Sequence, residues 1–186
     1  YLVDWFRKKG ATLHIADGDM ALIQEKVDFI GINYYEGSVA RYKANCGLLD
    51  CEDMDMGYNR TDIDWPIYPE GLYKVLTYIR EKFGDIPIYI TENGACYNHG
   101  VEDGIVNDIE RIDYLKIHLA ALERSIASGV PIKGYLCWSL LDNFEWAEGY
   151  SMRFGLVHIN YRTLERTKKE SYYWYQKVIA NRWFEL

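Results

Sequence analysis

Tyr89-Ile90-Thr91-Glu92-Asn93-Gly94 reads as a buried strand that stops on a carboxylate. Its aromatic and β-branched residues suit a pleated, half-buried backbone, and Asn-Gly after it reads as a turn. In folds that alternate strands and helices, chemistry sits on side chains at the tips of strands. A polar residue at an ordinary turn gives the same local pattern, so the rest of the chain has to decide.

Working outward, a helix should precede this strand. It starts at Pro69, carries the stripe Leu72, Val75, Leu76 and Ile79, and ends at Gly84. After the strand come a polar loop over 95–107 and a longer helix opened by Asp108. That helix aligns Ile109, Ile112, Leu115, Leu119, Leu122 and Ile126, and Gly129 with Pro131 close it. Two more apolar runs, 27–35 and 132–141, read as strands. Residues 1–9 and 19–25 read as short helices, the first ended by Gly10, the second capped by Asp17 or Asp19. A final helix runs from about Glu170 to Trp183. Residues 36–66 are polar and irregular, and 142–168 form a loop rich in aromatics and charge with a short hairpin at 155–160.

The order is thus strand–helix three times over, with nearly continuous apolar strands. That pattern predicts an α/β fold with a parallel sheet and helices outside it. The loops that follow strands are long and the returns from helix to strand are short, as expected when function gathers at one end of the sheet. Three strands would leave two bare edges. No glycine-rich phosphate loop supports a doubly wound sheet. The segments therefore read as part of a barrel.

The net charge of -7 argues against nucleic acid or an anionic membrane as partner. No apolar run is long enough to span a bilayer, and no targeting segment is evident. The 17 Tyr and 6 Trp fit either a large core or stacking against sugar rings. Cys46, Cys51, Cys96 and Cys137 match no metal-ligand spacing, and they read as free thiols of a reducing, cytoplasmic compartment.

The stretch from Gly134 through Trp138-Ser139-Leu140-Leu141-Asp142-Asn143-Phe144-Glu145-Trp146 to Gly155 tips the reading. With Phe29-Ile30-Gly31-Ile32-Asn33-Tyr34-Tyr35 and the 90–94 segment, in that order and spacing, the chain resembles the C-terminal part of a family-1 glycoside hydrolase, the β-glucosidase family. The resemblance covers essentially all of 1–186. It implies a partial (β/α)8 TIM barrel, strands six to eight with their helices, as the C-terminal portion of one catalytic domain. It implies retaining hydrolysis of terminal β-glycosidic bonds with no cofactor or metal.

By that resemblance Glu92 is the nucleophile, kept ionised by donors around it, and Tyr35 gives it a hydrogen bond. Trp138 is a platform under the sugar, and Glu145 and Trp146 hold its distal hydroxyls. Asn33 and Phe154 line the pocket, and Trp65 stands at the mouth by the leaving group. A carboxylate at 145 repels a phosphate, so the resemblance implies a neutral sugar; a 6-phospho-β-glycosidase is the competing enzyme reading. The family's acid/base sits in an Asn-Glu-Pro motif, and these 186 residues contain no such triplet. The chain alone is therefore expected to be nearly inactive and prone to aggregate, and to need a complementary N-terminal barrel portion as partner beside its saccharide. A non-catalytic half-barrel that binds sugar or another chain is the reading outside catalysis.

Overall fold

A computed structural model describes residues 2–182. In chain order the elements are α1 (Leu2–Lys8), α2 (Asp19–Ile23), β1 (Ile30–Asn33), β2 (Val39–Tyr42), β3 (Cys51–Met54), α3 (Pro69–Phe83), β4 (Ile88–Asn93), α4 (Ile109–Ala127), β5 (Ile132–Cys137), β6 (Val157–Ile159), β7 (Arg166–Lys168) and α5 (Glu170–Asn181). They divide into two compact units. The smaller takes the residues up to Asp28 together with Ser38–Gly57, and the larger takes Phe29–Gly37 and the residues from Tyr58 onward.

The larger unit is built on a parallel sheet in the order β1-β4-β5, with β4 in the centre. Ile88 and Ile90 of β4 are fully buried against Leu72, Leu76 and Ile79 of α3 and Leu119 and Leu122 of α4. Each such side chain contributes roughly 1.5–3 kcal/mol relative to exposure. Trp174 and Val178 of α5 pack on the same core, and Tyr172 and Tyr175 join a second cluster around Tyr114 and Leu115. Alternation along the strands sends the other residues the opposite way. Phe29, Tyr89 and Leu136 are exposed large apolar side chains, and Gly31 and Asn33 are exposed as well. The sheet is clothed by helices on one face and bare on the other.

Several expectations are corrected by this structure. Asn93-Gly94 is not a turn: Asn93 is the last residue of β4 and is wholly buried. Gly94 is needed for close approach, because a Cβ there would lie 1.8 Å from the Trp138 carbonyl oxygen. The strand read over 132–141 stops at Cys137, since Ser139 leaves the sheet to bond Phe154 and Leu156 through its main chain. The irregular stretch 36–66 contains the hairpin β2–β3, whose register pairs Tyr42 with Cys51. The hairpin read at 155–160 is wider, with β6 pairing β7. Neither Asp17 nor Asp19 caps the second helix. Gly18 holds that position with φ 93°, and the Asp19 carboxylate accepts a bond from the Ala16 N–H instead. The far end of the last helix, at Trp183, lies outside the described residues.

The long α4 is also not one apolar stripe. Ile109 and Ile126 at its ends are half exposed, while Arg111, Tyr114, His118 and Ser125 are buried. Those four recur at helical spacing beside Leu115 and Leu122, so a polar row runs along the buried face.

In the smaller unit α1 is fastened to the tip of the β2–β3 hairpin. The Trp5 indole N–H donates to the Leu48 carbonyl at 3.1 Å, and Lys9 pairs with Asp50 at 2.5 Å.

Candidate active site

The tips of the three parallel strands are tied together by one buried amide. Asn93 donates through Nδ2 to the Tyr34 carbonyl at 2.7 Å and to the Tyr114 hydroxyl at 3.2 Å, and its Oδ1 accepts from the Tyr135 hydroxyl at 2.7 Å. Tyr114 in turn donates to the Tyr35 carbonyl at 2.8 Å. Main-chain bonds from Tyr34 N–H to the Glu92 carbonyl and from Trp138 N–H to the Asn93 carbonyl, both 2.9 Å, complete the seam. A side chain on any of these tips is thereby set relative to the other two.

On this seam the Tyr35 hydroxyl donates to Glu92 Oε2 at 2.6 Å, the short distance expected of an O–H bonded to a charged oxygen. Burial first, and then the bond to Glu92, push the Tyr35 phenol well above its usual range. It therefore stays a donor. The rings of Trp65 and Phe154 lie 5.4 and 5.9 Å from that of Tyr35, and 5.8 Å from each other. Phe154 is only 2% exposed, so it backs the two rings rather than forming an open wall. Burial raises the Glu145 carboxyl, and the neighbouring negative charges of Glu92 and Glu148 add to this. Glu145 is thus within electrostatic reach of both Glu92 and Tyr35.

The remaining predicted residues surround this cluster less tightly. Trp138, half-buried, directly follows β5 and is joined to Ser139 by a cis peptide. Trp146 begins a single 3-10 turn, Trp146–Glu148, with φ 39°, and is 83% exposed. Asn33 is exposed on the bare face of the sheet, where its Oδ1 accepts from the Thr91 hydroxyl at 2.6 Å. The structure therefore gathers Glu92, Tyr35, Trp65 and Phe154, sets Glu145 nearby, and leaves Trp146 and Asn33 open to solvent.

Sequence reasoning missed the buried charges that hold the loops. Arg111 of α4, 1% exposed, donates to the carbonyls of Phe154 (3.1 Å), Tyr97 (3.1 Å) and Arg153 (3.0 Å), and also to that of Ala95. Its charge is met by Asp108 at 2.8 Å. Asp108 sits at the head of α4, but its carboxylate caps no N–H of that helix and bonds Ser171 instead. The loop after β4 and the segment carrying Phe154 are thus gripped by one guanidinium. Beyond β5, Asp142 pairs with Lys169 at 2.9 Å and Arg153 at 2.7 Å. It also accepts from the N–H groups of Gly155 and Ile159. A buried Arg on a helix reads in sequence as a solvated residue. The usable signal was its position, one helical turn before Leu115 on the apolar side.

The sequence profile of Glycosyl hydrolase family 1 matches residues 1–184. Among individual relatives, Beta-glucosidase A of Thermotoga maritima is 47% identical over 169 residues, covering 90% of this chain and 37% of that protein. A 6-phospho-beta-galactosidase of Clostridium acetobutylicum is 35% identical, over 92% of this chain and 41% of that protein. Among solved structures, a Thermotoga maritima family 1 glycoside hydrolase complexed with a cyclophellitol-analogue transition-state mimic superimposes with a TM-score of 0.86 at 46% identity. It covers 90% of this chain and 37% of that one. The chain thus spans only 37% to 41% of the length of these relatives.

Proposed function

The chain belongs to glycosyl hydrolase family 1, and on that premise we propose that it is the C-terminal portion of a retaining β-glycosidase of the β-glucosidase type. In this reading its strands β1, β4 and β5 are the sixth, seventh and eighth of a (β/α)8 barrel. The bare face of the sheet then becomes the barrel interior, covered by the preceding strands. The observation that carries the reading is the 2.6 Å hydrogen bond from Tyr35 to Glu92 at the strand tips.

Glu92 attacks the anomeric carbon, and the bond to the leaving oxygen breaks as that oxygen takes a proton. The glycosyl ester on Glu92 is then hydrolysed by water. The acid that supplies the proton, and later serves as base, is a carboxyl group carried by polypeptide outside these 186 residues. Without it a term of roughly 10²–10⁴ in rate is missing, so this chain alone turns over substrate poorly. Tyr35 orients the Glu92 carboxylate and spreads its charge before attack. Trp138 offers its face to the sugar, Glu145 and Trp146 hold the hydroxyls, and Asn33 borders the pocket. Trp65 flanks the leaving group, with Phe154 behind it. The reaction calls for no cofactor or metal. The four thiols suit a reducing, cytoplasmic setting, and no helix among the described residues is long and apolar enough to cross a membrane.

Glu145 favours a neutral sugar. Its carboxyl is already raised by burial and by the charges of Glu92 and Glu148, and a sugar phosphate beside it would add two more negative charges. The relationship to a 6-phospho-beta-galactosidase supports the competing reading only if that charge is dispensable. Treating the full-length protein with a 2-fluoro-glucoside inactivator and mapping the labelled peptide tests the assignment. The label is expected on Glu92, and a label on any other carboxylate rejects it. Comparing a glucoside with its 6-phosphate then separates the two substrate readings.

A further inference from the structure

The four thiols divide by environment. Cys96 is buried and Cys137 packs on the second core cluster of the larger unit; burial pushes them up to about 11 and about 12. Cys46 and Cys51 flank the tip of the β2–β3 hairpin in the smaller unit, and both are partly exposed free thiols.

That tip is held as a closed loop by its own main chain. The Cys51 N–H donates to the Cys46 carbonyl at 3.2 Å, the Lys43 N–H to the Asp50 carbonyl at 2.8 Å, and the Cys46 N–H to the Lys43 carbonyl at 3.2 Å. Asn45, Gly47 and Asp50 all take positive φ, which folds the segment back on itself. The Asp50 carboxylate accepts from the Asn45 N–H at 3.0 Å and from Lys9. A C=O···H–N bond sets the α-carbons of the residues it joins at roughly 5–6.5 Å. That range lies within the ~4.4–6.8 Å that a disulfide bridges. Partly exposed side chains change rotamer on a picosecond-to-nanosecond timescale, so the two thiols can sample approach across this closed loop.

We propose that Cys46 and Cys51 form a thiol–disulfide site that closes the hairpin tip with an internal disulfide when a small-molecule disulfide is available as oxidant. One cysteine thiolate attacks a sulfur of the oxidant and expels one small thiolate, leaving a mixed disulfide. The other cysteine attacks the protein-bound sulfur and expels the second. The protein loses two electrons and two protons, and the oxidant becomes two thiols. The second step is intramolecular and draws on the high effective concentration of a preformed loop. Closure fixes the loop that receives Trp5 and Lys9, and so fastens α1 to the hairpin. This site is independent of the glycosidase reading, and either can fail without the other.

The test uses the full-length protein equilibrated with mixtures of reduced and oxidised glutathione, then alkylated, digested with trypsin and weighed. Cys46 and Cys51 fall in one tryptic peptide, 44–60, between Lys43 and the cleavage after Arg60. In the oxidising mixtures this peptide should be unalkylated and about 2 Da lighter than its reduced form. Cys46→Ser should stop at a single glutathione on Cys51. Two glutathiones on the wild-type peptide, a disulfide to a second molecule, or two alkylated thiols across the whole series each overturn the proposal. Cys46→Ser lies on a partly exposed loop, and its unchanged thermal unfolding would exclude misfolding as the cause.

Discussion

Two carboxylates stand at the same end of the parallel sheet, Glu92 at the tip of β4 and Asp142 just beyond β5. Glu92 is half-buried and takes a phenolic hydrogen bond from Tyr35. Asp142 has no side-chain exposure and accepts from Lys169, Arg153, Gly155 and Ile159. A carboxylate offers about four lone-pair sites. Those of Asp142 are filled from within the fold, whereas Tyr35 is the side chain that donates to Glu92. One acid keeps loops in place, and the other is the one proposed above to act on a substrate.

The contrast breaks first at Glu92. In the full-length protein Glu92→Gln should cut turnover of an aryl β-glucoside by roughly 10⁴–10⁶-fold while its urea midpoint stays within experimental scatter. A parallel loss of stability would mean that Glu92 is structural after all. Asp142→Asn should do the reverse. It leaves Lys169 buried without its counter-charge, and unfolding in urea should become easier by about 3–5 kcal/mol. Activity per folded molecule should change far less.

Tyr35→Phe keeps the ring and removes one charged hydrogen bond. It should lower kcat/KM by roughly 10–100-fold, the equivalent of about 1.5–3 kcal/mol. A normal rate would remove Tyr35 from the active cluster. Gly94→Ala should cost roughly 1–3 kcal/mol in stability, because its Cβ meets the Trp138 main chain. It should also disturb activity, since Trp138 makes that contact and Glu92 lies two residues before Gly94.

A further effect is confined to alkali. Burial, then the nearby Arg111 charge, lowers Lys169 to about 8 from its ordinary 10.5. Between those values the unfolded chain holds a proton that the folded chain has released. This residue's contribution to stability therefore rises with pH across that window and is lost as pH falls through about 8. Lys169→Met should flatten that slope in urea titrations run from about pH 7 to 10. An unchanged slope would assign it to other groups.

The sequence was most informative where burial and period agree. The stripe of α3 and the apolar runs of β1, β4 and β5 stand where periodicity and β-branching put them, because a helix and a parallel strand each bury what their spacing aligns. Glu92 and Tyr35 were legible as a motif, and the structure adds their contact. Asn93 was misread because Asn-Gly is a frequent turn, and nothing local says that the amide will be shared by three strand tips. Arg111, Asp108, Asp142 and Lys169 escaped for a related reason. Single-residue character places a charge outside, whereas its burial depends on partners between 3 and 63 positions away. Short pairings such as β2–β3 and β6–β7 were blurred because each strand is only three or four residues long.

The hydrogen bonds from Arg111 to Ala95, Tyr97, Arg153 and Phe154 all go to peptide oxygens, and the Tyr97 ring also lies 5.8 Å from the guanidinium. Hydrogen bonds of this kind do not depend on which side chains Ala95, Arg153 and Phe154 carry. The path of the two loops can be inherited while their exposed residues vary, so the surface they present can change by mutation without rebuilding the frame that supports it.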